Sequence, residues 1–263
     1  MMKFQRQIDL QQYINLKGHV TIAELLDKFQ VSKATLNRDL TDLENEGSIQ
    51  KVHGGVVSKI ASQVFELSSS KKEVYNKDYK KQIAEKAVSM IENNQSIIID
   101  SGSTMYYLAR ALLARKDLEN ITVITNDLKV AYTLSENENI SLIILGGMKH
   151  KDSFDIYGPT AVDILKSLNA NKYFMATSAF DFKCGITHTD YDDILIKKAM
   201  MESSKDIILC ADSSKYGLVK RWSLCDINAI DTLISDDRMQ PEELKKIKEA
   251  CENIILVNEE NNN

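Results

Sequence analysis

From about residue 80 to residue 257 the chain alternates short apolar runs with amphipathic stretches of helical length, and few folds accept that alternation. SIIID precedes STMYYLARALLARK, ITVIT precedes DLKVAYTLSEN, and SLIIL precedes a glycine turn and TAVDILKSLN. YFMATS, DDILIKKAMMESS, IILCAD, AIDTLIS, PEELKKIKEAC and NIILV continue the series. Runs that are apolar throughout suit strands buried on both faces, because successive side chains of a strand point to opposite sides. The stretches between them suit helical crossovers from one parallel strand to the next. The expected fold class is therefore α/β, with a mostly parallel sheet.

Residues 1–57 follow a different pattern, short helical periodicities ending in a Gly-Gly turn. TIAE fits a capping box, in which the Thr21 hydroxyl accepts from the Glu24 amide while Glu24 reaches back to the Thr21 amide. The helix so started places Ile22, Leu25, Leu26 and Phe29 on its apolar side and is expected to end near Gln30. Val31 and Ser32 make a short turn, and Ser32 can cap the next helix. In that helix Leu36, Leu40 and Leu43 fall within about 60° of one another at about 100° per residue. Arg38 lies opposite this stripe and Asn37 on its flank, with Lys33 and Thr35 in the first turn, where a recognition helix meets DNA.

Any two-helix hairpin shows a polar outer face, so the segment that follows matters. GSIQKVHGGVVS reads as a short β-hairpin, with Gly54 and Gly55 taking positive φ at its tip. Helix, turn, helix and hairpin in that order make a winged helix-turn-helix. The candidate DNA-contacting residues are Thr21, Ser32, Lys33, Thr35, Asn37 and Arg38, with Lys51 and His53 on the wing. His53 reads equally well as an exposed turn residue.

The formal charge of −5 argues at first against a polyanionic partner. It is unevenly spread. Residues 1–60 carry eight basic and seven acidic side chains, and the remainder carries 25 basic and 31 acidic. The acidity belongs to the larger C-terminal part, and a nearly neutral N-terminal part neither demands nor excludes DNA.

At this point a resemblance becomes specific. The stretch HVTIAELLDKFQVSKATLNRDLTDLENEGSIQKVHGGVV resembles the DNA-binding module of the DeoR family of bacterial transcription regulators. Those proteins show a VS-x-x-T-[IL]-R-R-D-L-x-x-L helix and a wing ending in HGG, matched here by Val31, Ser32, Thr35, Leu36, Arg38, Asp39, Leu40, Leu43, His53, Gly54 and Gly55. Asn37 stands where the family usually has its first arginine, and Lys51 where the wing usually has arginine. Asparagine can hydrogen-bond an adenine edge or a phosphate but carries no charge, so the operator sequence is where this chain should differ. The salt dependence of binding should also be weaker if that arginine contacts a phosphate.

In the C-terminal part, IIIDSGSTMYYLARAL is the clearest ligand signal. A strand ends at Asp100, and Ser101, Gly102, Ser103 and Thr104 lead directly into a helix, whose free amides and dipole favour an anion. Serine-rich caps are also common without any ligand, and the pattern is neither a Walker A loop nor a dinucleotide fingerprint. Three other strand ends can converge on it, since open α/β sheets bind ligands beyond their carboxyl edges. They are ITN with Thr125 and Asn126, LGGMKHK with Gly146, Gly147 and Lys149, and ADSSKYG with Lys215. Either lysine can pair with a phosphate or simply be solvated. FDFKCGITH adds a loop with Asp181 and Lys183.

These segments also resemble, in order, the DeoR-family sensor domain, whose patterns D-[SG]-[GS]-T-T, T-N, L-G-G, G-P, G-[LI]-T and A-D-S-S-K-[FY]-G recur here, with Gly158–Pro159 and Gly185–Thr187 among them. The resemblance covers about residues 4–257. It implies a sensor fold resembling ribose-5-phosphate isomerase and a phosphorylated sugar as effector. By motif position the effector-binding set is Asp100, Ser101, Gly102, Ser103, Thr104, Thr125, Asn126, Gly146, Gly147, Lys149, Asp181 and Lys215. Near Asp181 the family often has a glycine-rich run; TSAFDFKCG is bulkier, with Phe180 and Phe182, which points to a different sugar at that rim.

The expected organisation is a DNA-binding domain at 1–57, a polar linker at 58–79 running into a helix, a sensor domain at 80–257 and a disordered tail at 258–263. The four cysteines form no C-x-x-C pair and have no histidine at metal-ligand spacing, so buried reduced thiols are expected and no metal or cofactor. No apolar stretch approaches the ~20 residues that span a bilayer, and the N-terminus lacks a secretory core. A cytoplasmic bacterial protein, at the nucleoid when bound to its operator, is expected. One recognition helix reads one half-site, so a homodimer or homotetramer is expected on double-stranded operator DNA. The function expected is a repressor of a sugar-metabolism operon controlled by a phosphorylated sugar. The alternative is a sugar-phosphate isomerase-like enzyme fused to a DNA-binding module, with Asp181 and Lys183 as an acid–base pair. No second carboxylate at a recognisable spacing supports it, because Asp190, Asp192 and Asp193 begin a helix where acids are expected structurally.

Overall fold

The computed structural model of the chain describes residues 2–52, 54–59, 69–151 and 153–258, in two compact units that divide after Glu66. The first unit runs α1 (Lys3–Lys17), β1 (His19–Thr21), α2 (Ile22–Phe29), α3 (Lys33–Asn45), β2 (Ile49–Val52) and β3 (Gly55–Ser58). Leu36, Leu40 and Leu43 of α3 are buried with Leu10 and Ile14 of α1, Val20, Leu25, Ile49 and Val56. Ser32 caps α3 by accepting from the Thr35 amide at 3.1 Å, as its position predicts. Gln30 closes α2 in the left-handed conformation.

Two local expectations change. Thr21 accepts from the Glu24 amide, but the Glu24 carboxylate accepts from the Tyr13 hydroxyl at 2.6 Å instead of reaching back, so half of the capping box forms. Gly54 takes a positive φ of 76°, whereas Gly55 belongs to β3 and is needed for another reason. β1 is a third strand, pairing with β3 so closely that a Cβ on Gly55 would lie 2.6 Å from the Val20 carbonyl oxygen. The sheet order is β1-β3-β2, antiparallel throughout. His53 lies outside the described residues.

The second unit opens with α4 (Ser69–Val74) and α5 (Lys77–Val88), followed by β4 (Ser96–Ile99), α6 (Ser103–Ala114), β5 (Ile121–Thr125), α7 (Leu128–Leu134) and β6 (Ile140–Ile144). A hairpin of β7 (Met148–Lys149) and β8 (Ile156–Tyr157) precedes α8 (Pro159–Lys166) and β9 (Ala170–Met175). Then come β10 (Ala179–Asp181), β11 (Gly185–His188), α9 (Tyr191–Glu202), β12 (Ser204–Cys210), β13 (Trp222–Cys225), β14 (Thr232–Asp236), α10 (Pro241–Lys248) and β15 (Asn253–Val257).

Seven strands form one parallel sheet in the order β15-β14-β12-β9-β4-β5-β6. The unbroken isoleucines of β4 show why the run is apolar throughout. Ile97 and Ile99 join the core formed with α5, α6 and α7, and Ile98 joins the opposite core beneath α8, α9 and α10. From β4 the connections run one way through β5 and β6 and the other way through β9 to β15. The crevice at the carboxyl ends of β4 and β9 is thus a topological switch point.

The second half of the segment expected as linker, 58–79, carries the helices into which it was expected to run. Residues 69–74 and 77 onward are helical, and Lys80 is buried with its ammonium donating to the carbonyls of Lys72 and Tyr75. Asn76 donates to Asp212 at 2.6 Å, which ties this segment to the sheet. FDFKCGITH is not simply a loop but the β10–β11 hairpin, extended by β13 into a small antiparallel sheet. Gly185 sits at φ 67°, where a Cβ would lie 2.2 Å from the Cys225 carbonyl oxygen. Residues 259–263 of the expected tail lie outside the described residues.

Candidate nucleic-acid interface and ligand site

On α3, Lys33, Asn37 and Thr41 succeed one another at four-residue intervals along an exposed strip, with exposed Arg38 beside it. Among the described residues no ion pair involves Lys33 or Arg38. The Ser32 and Thr35 hydroxyls lie 2.9 Å apart and hydrogen-bond each other, and Thr21 is exposed at the start of α2. Lys51 does not stand out on the wing. Its ammonium donates to the Thr41 hydroxyl at 2.5 Å, and its amide donates to Glu44 at 2.8 Å, so β2 is pinned to α3. Asp39, next to Arg38 in sequence, faces the other way. It is 1% exposed and accepts from Arg6 Nε at 2.6 Å and from Gln7 at 3.3 Å. Consecutive residues of one motif thus face opposite ways: Arg38 outward to solvent, Asp39 inward to fix α1 on α3.

At the carboxyl edge of the parallel sheet the nominated residues separate by role. Asp100 is fully buried and is held by Lys197, by the Tyr173 hydroxyl at 2.9 Å and by the Ala176 amide at 3.0 Å. Its carboxylate is therefore a structural anchor joining β4, β9 and α9. Burial, with the Asp100 charge second, pushes the Tyr173 phenol well above its usual range. The loop amides are partly used as well. The Ser101 amide donates to Asp100, and the Gly102 amide donates to Asp127 at 3.2 Å. Asp127 also caps α7 through the Lys129 and Val130 amides, and burial raises its pKa against those three donations. Among the described residues no side chain caps α6, which leaves the helix start at Ser103 and Thr104 as the anion-favouring end.

Thr125 is buried, its hydroxyl accepting from the Asp127 amide. Asn126 is 2% exposed; its amide nitrogen donates to the Ile156 carbonyl, but its buried Oδ1 has no hydrogen-bond partner among the described residues. Gly146 has open space where a Cβ would stand, whereas one on Gly147 would lie 2.2 Å from the Tyr157 carbonyl oxygen. Gly147 therefore lets β8 pass, and Gly146 alone borders free space. Lys149 donates to the carbonyls of His150 and Lys151. Asp181 accepts from the amides of Lys183 and Cys184, which shapes the β10–β11 turn. Lys215 ends a 3₁₀ turn, Ser213–Lys215, whose Ser213 is held by Asp236 and Ser214 by Asp212.

From β6, which leads to Gly146, to β12, which leads to Lys215, there are four strand steps, or about 19 Å at the usual spacing. The strands that lead to the candidates therefore span most of the carboxyl edge of the sheet. Gly102, Ser103, Thr104 and Asn126 follow the ends of two adjacent strands, β4 and β5, which the Gly102 amide links by donating to Asp127. The sequence reading missed Asp127 and Lys197. Lys197 left a signal, as a charge on the apolar side of α9 three residues from both Ile194 and Met200.

Comparison with known proteins bears on both units. The DeoR-like helix-turn-helix domain matches residues 6–61, and the DeoR C-terminal sensor domain matches residues 75–237. The HTH-type transcriptional regulator YulB of Bacillus subtilis (strain 168) is 34% identical over 257 residues, 98% of either chain. The L-fucose operon activator of Haemophilus influenzae is 30% identical over 235 residues, 89% of this chain and 92% of its own. Among solved structures, ribose 5-phosphate isomerase A from Neisseria gonorrhoeae aligns with 55% of this chain and 54% of its own, at a TM-score of 0.40 and 20% identity. That likeness is too loose to bear on function. Among the described residues no helix is long and apolar enough to cross a membrane.

Proposed function

The chain belongs to the DeoR family of DNA-binding transcriptional regulators, and from that premise we propose that it represses a carbohydrate operon and is controlled by a phosphorylated sugar. The DNA-contacting surface in this reading is the strip Lys33, Asn37 and Thr41 with Arg38, working as a homodimer or homotetramer on paired half-sites. One observation carries the effector reading: among the described residues the start of α6 has no side-chain cap, and the neighbouring strand β5 leads into a buried acceptor without a partner. Asp127 holds Gly102 at that helix start, and its chain neighbour Asn126 offers the unpartnered Oδ1. A phosphate at the helix start and a sugar hydroxyl on Asn126 would satisfy both. A relative named for an L-fucose operon supports a sugar as the class of signal.

The test is a thermal-shift screen of sugar phosphates and their unphosphorylated parents, followed by gel-shift release of the chain's own promoter. Stabilisation by a phosphorylated sugar alone is expected. Ser103→Glu should abolish that response and leave promoter binding intact, because it places a second negative charge at the phosphate position. If Ser103→Glu loses promoter binding while calorimetry shows normal sugar-phosphate affinity, the assignment of this loop is wrong.

A further inference from the structure

The β7–β8 hairpin and the first turn of α9 bring together three side chains that neither the DNA reading nor the effector reading uses. His150 and Asp155 come from the hairpin and Asp193 from the helix, and one donor atom from each lies within 4.8 Å of the others. His150 Nε2 is 3.7 Å from the Asp155 carboxylate, and it is a buried atom with no hydrogen-bond partner among the described residues. The imidazole is not free to turn away, because it stacks on Tyr157 at 4.0 Å with 25° between the rings. The hairpin is itself anchored: Leu128 donates to the Phe154 carbonyl at 2.9 Å and Ile156 to the Asn126 carbonyl at 2.7 Å. Behind Asp193 stands His188, 2% exposed, with Nδ1 3.9 Å from the carboxylate and the Ser178 and Thr177 hydroxyls at its two ring nitrogens. Among the described residues no lysine or arginine pairs with Asp155.

We propose that His150, Asp155 and Asp193 form a binding site for a divalent transition-metal ion of the zinc or manganese class. Two carboxylates and a neutral imidazole supply two negative charges and a mixed nitrogen–oxygen donor set. That set suits zinc or manganese better than magnesium or calcium, which prefer oxygen alone. Donor atoms around a tetrahedral zinc lie about 3.3 Å apart for bonds of about 2.0–2.2 Å. The observed spacing therefore needs only a small closure of side chains that are already held in place. His188 stands 3.9 Å behind Asp193, outside hydrogen-bond distance but near enough to become an outer partner of the carboxylate on a small shift. Three protein ligands leave a coordination position open. A bound ion would clamp the hairpin over β5 to α9, the helix whose Lys197 anchors Asp100. The sequence hid this set because its members lie 38 or more positions apart between hairpin and helix.

The site is tested on the full chain, stripped with a chelator and dialysed, by calorimetric titration with Zn2+, Mn2+ and, as control, Mg2+, with no sugar present. Saturable binding of one Zn2+ or Mn2+ per chain is expected, with Mg2+ much weaker. His150→Ala and Asp193→Asn should each weaken it by roughly tenfold or more. Absence of saturable binding overturns the proposal, as does binding that both variants retain unchanged, since the ion would then be held elsewhere. Should a variant fail to melt cooperatively in its metal-free form, Mn2+ on the unaltered chain decides. Electron spin-echo spectroscopy should show coupling to an imidazole nitrogen, and no nitrogen coupling overturns the site. Because the titration contains no sugar, its failure leaves the effector reading standing.

Discussion

Replacing Asp100 by alanine should destabilise the second unit heavily, although the sequence places this residue at the head of a ligand loop. Asp100 and its partner Lys197 have side chains 0% and 4% exposed. Removing one partner of such a buried pair leaves a charge without compensation and costs about 3–5 kcal/mol. The same carboxylate also satisfies the Tyr173 hydroxyl and the Ala176 amide, and an unsatisfied buried donor costs about 1–3 kcal/mol. The losses overlap, since all three donors converge on one oxygen, so about 4 kcal/mol is the working expectation. The assay is urea unfolding followed by tryptophan fluorescence. The chain has a single tryptophan, Trp222 on β13, so the signal reports the second unit alone. The midpoint should fall with the slope preserved. Adding Lys197→Met to Asp100→Ala should restore part of the loss, because it removes the stranded ammonium. A single variant within about 1 kcal/mol of the unaltered chain, or strictly additive losses in the double variant, would refute the reasoning.

Other outcomes follow from the same geometry. Arg38→Ala should weaken promoter binding by about 1–3 kcal/mol in a gel-shift titration at fixed salt if it reads a base, with thermal stability unchanged. Its neighbour Asp39→Ala should instead lower the stability of the first unit by about 3 kcal/mol, measured by circular dichroism, because Arg6 loses its buried partner. Burial lowers the Lys80 pKa from 10.5 to about 8. Between those values the unfolded chain holds a proton that the folded chain has lost, so stability of the second unit should rise with pH across that window. The gain is up to roughly 3 kcal/mol, and below about pH 8 this contribution is flat. Urea midpoints at pH 7.5 and pH 10 (roughly the two ends of that window) should show a rise that Lys80→Met removes. Gly147→Ala should cost about 1–3 kcal/mol by overpacking against Tyr157, while Gly146→Ala should be nearly neutral; equal melting temperatures for the two variants would contradict this.

Periodic patterns carried over to the structure almost intact. The leucine stripe of α3, the Ser32 cap and the strand–helix alternation after residue 80 are local properties, fixed by side-chain spacing along one element. Missed features depended on which elements come to lie side by side. Nothing in HGG distinguishes a glycine needed for a left-handed turn from one needed so that β1 can pass, yet Gly54 is the first kind and Gly55 the second.

For this chain, then, sequence alone determined the two-part organisation, the α/β class, the outward face of α3 and membership of a regulator family. The reason is that helical and strand periodicities and linear motifs survive without knowledge of long-range contacts. Only the tertiary structure decided what the loop residues do. It assigned Asp100 to a buried pair with Lys197, 97 positions away, turned Asp39 inward onto Arg6, and spent the Gly102 amide on Asp127. A carboxylate in a loop motif has the same spelling whether it faces solvent, a ligand or a buried ammonium. What separates these fates is the dielectric surroundings and the partner, and both come from parts of the chain remote in sequence.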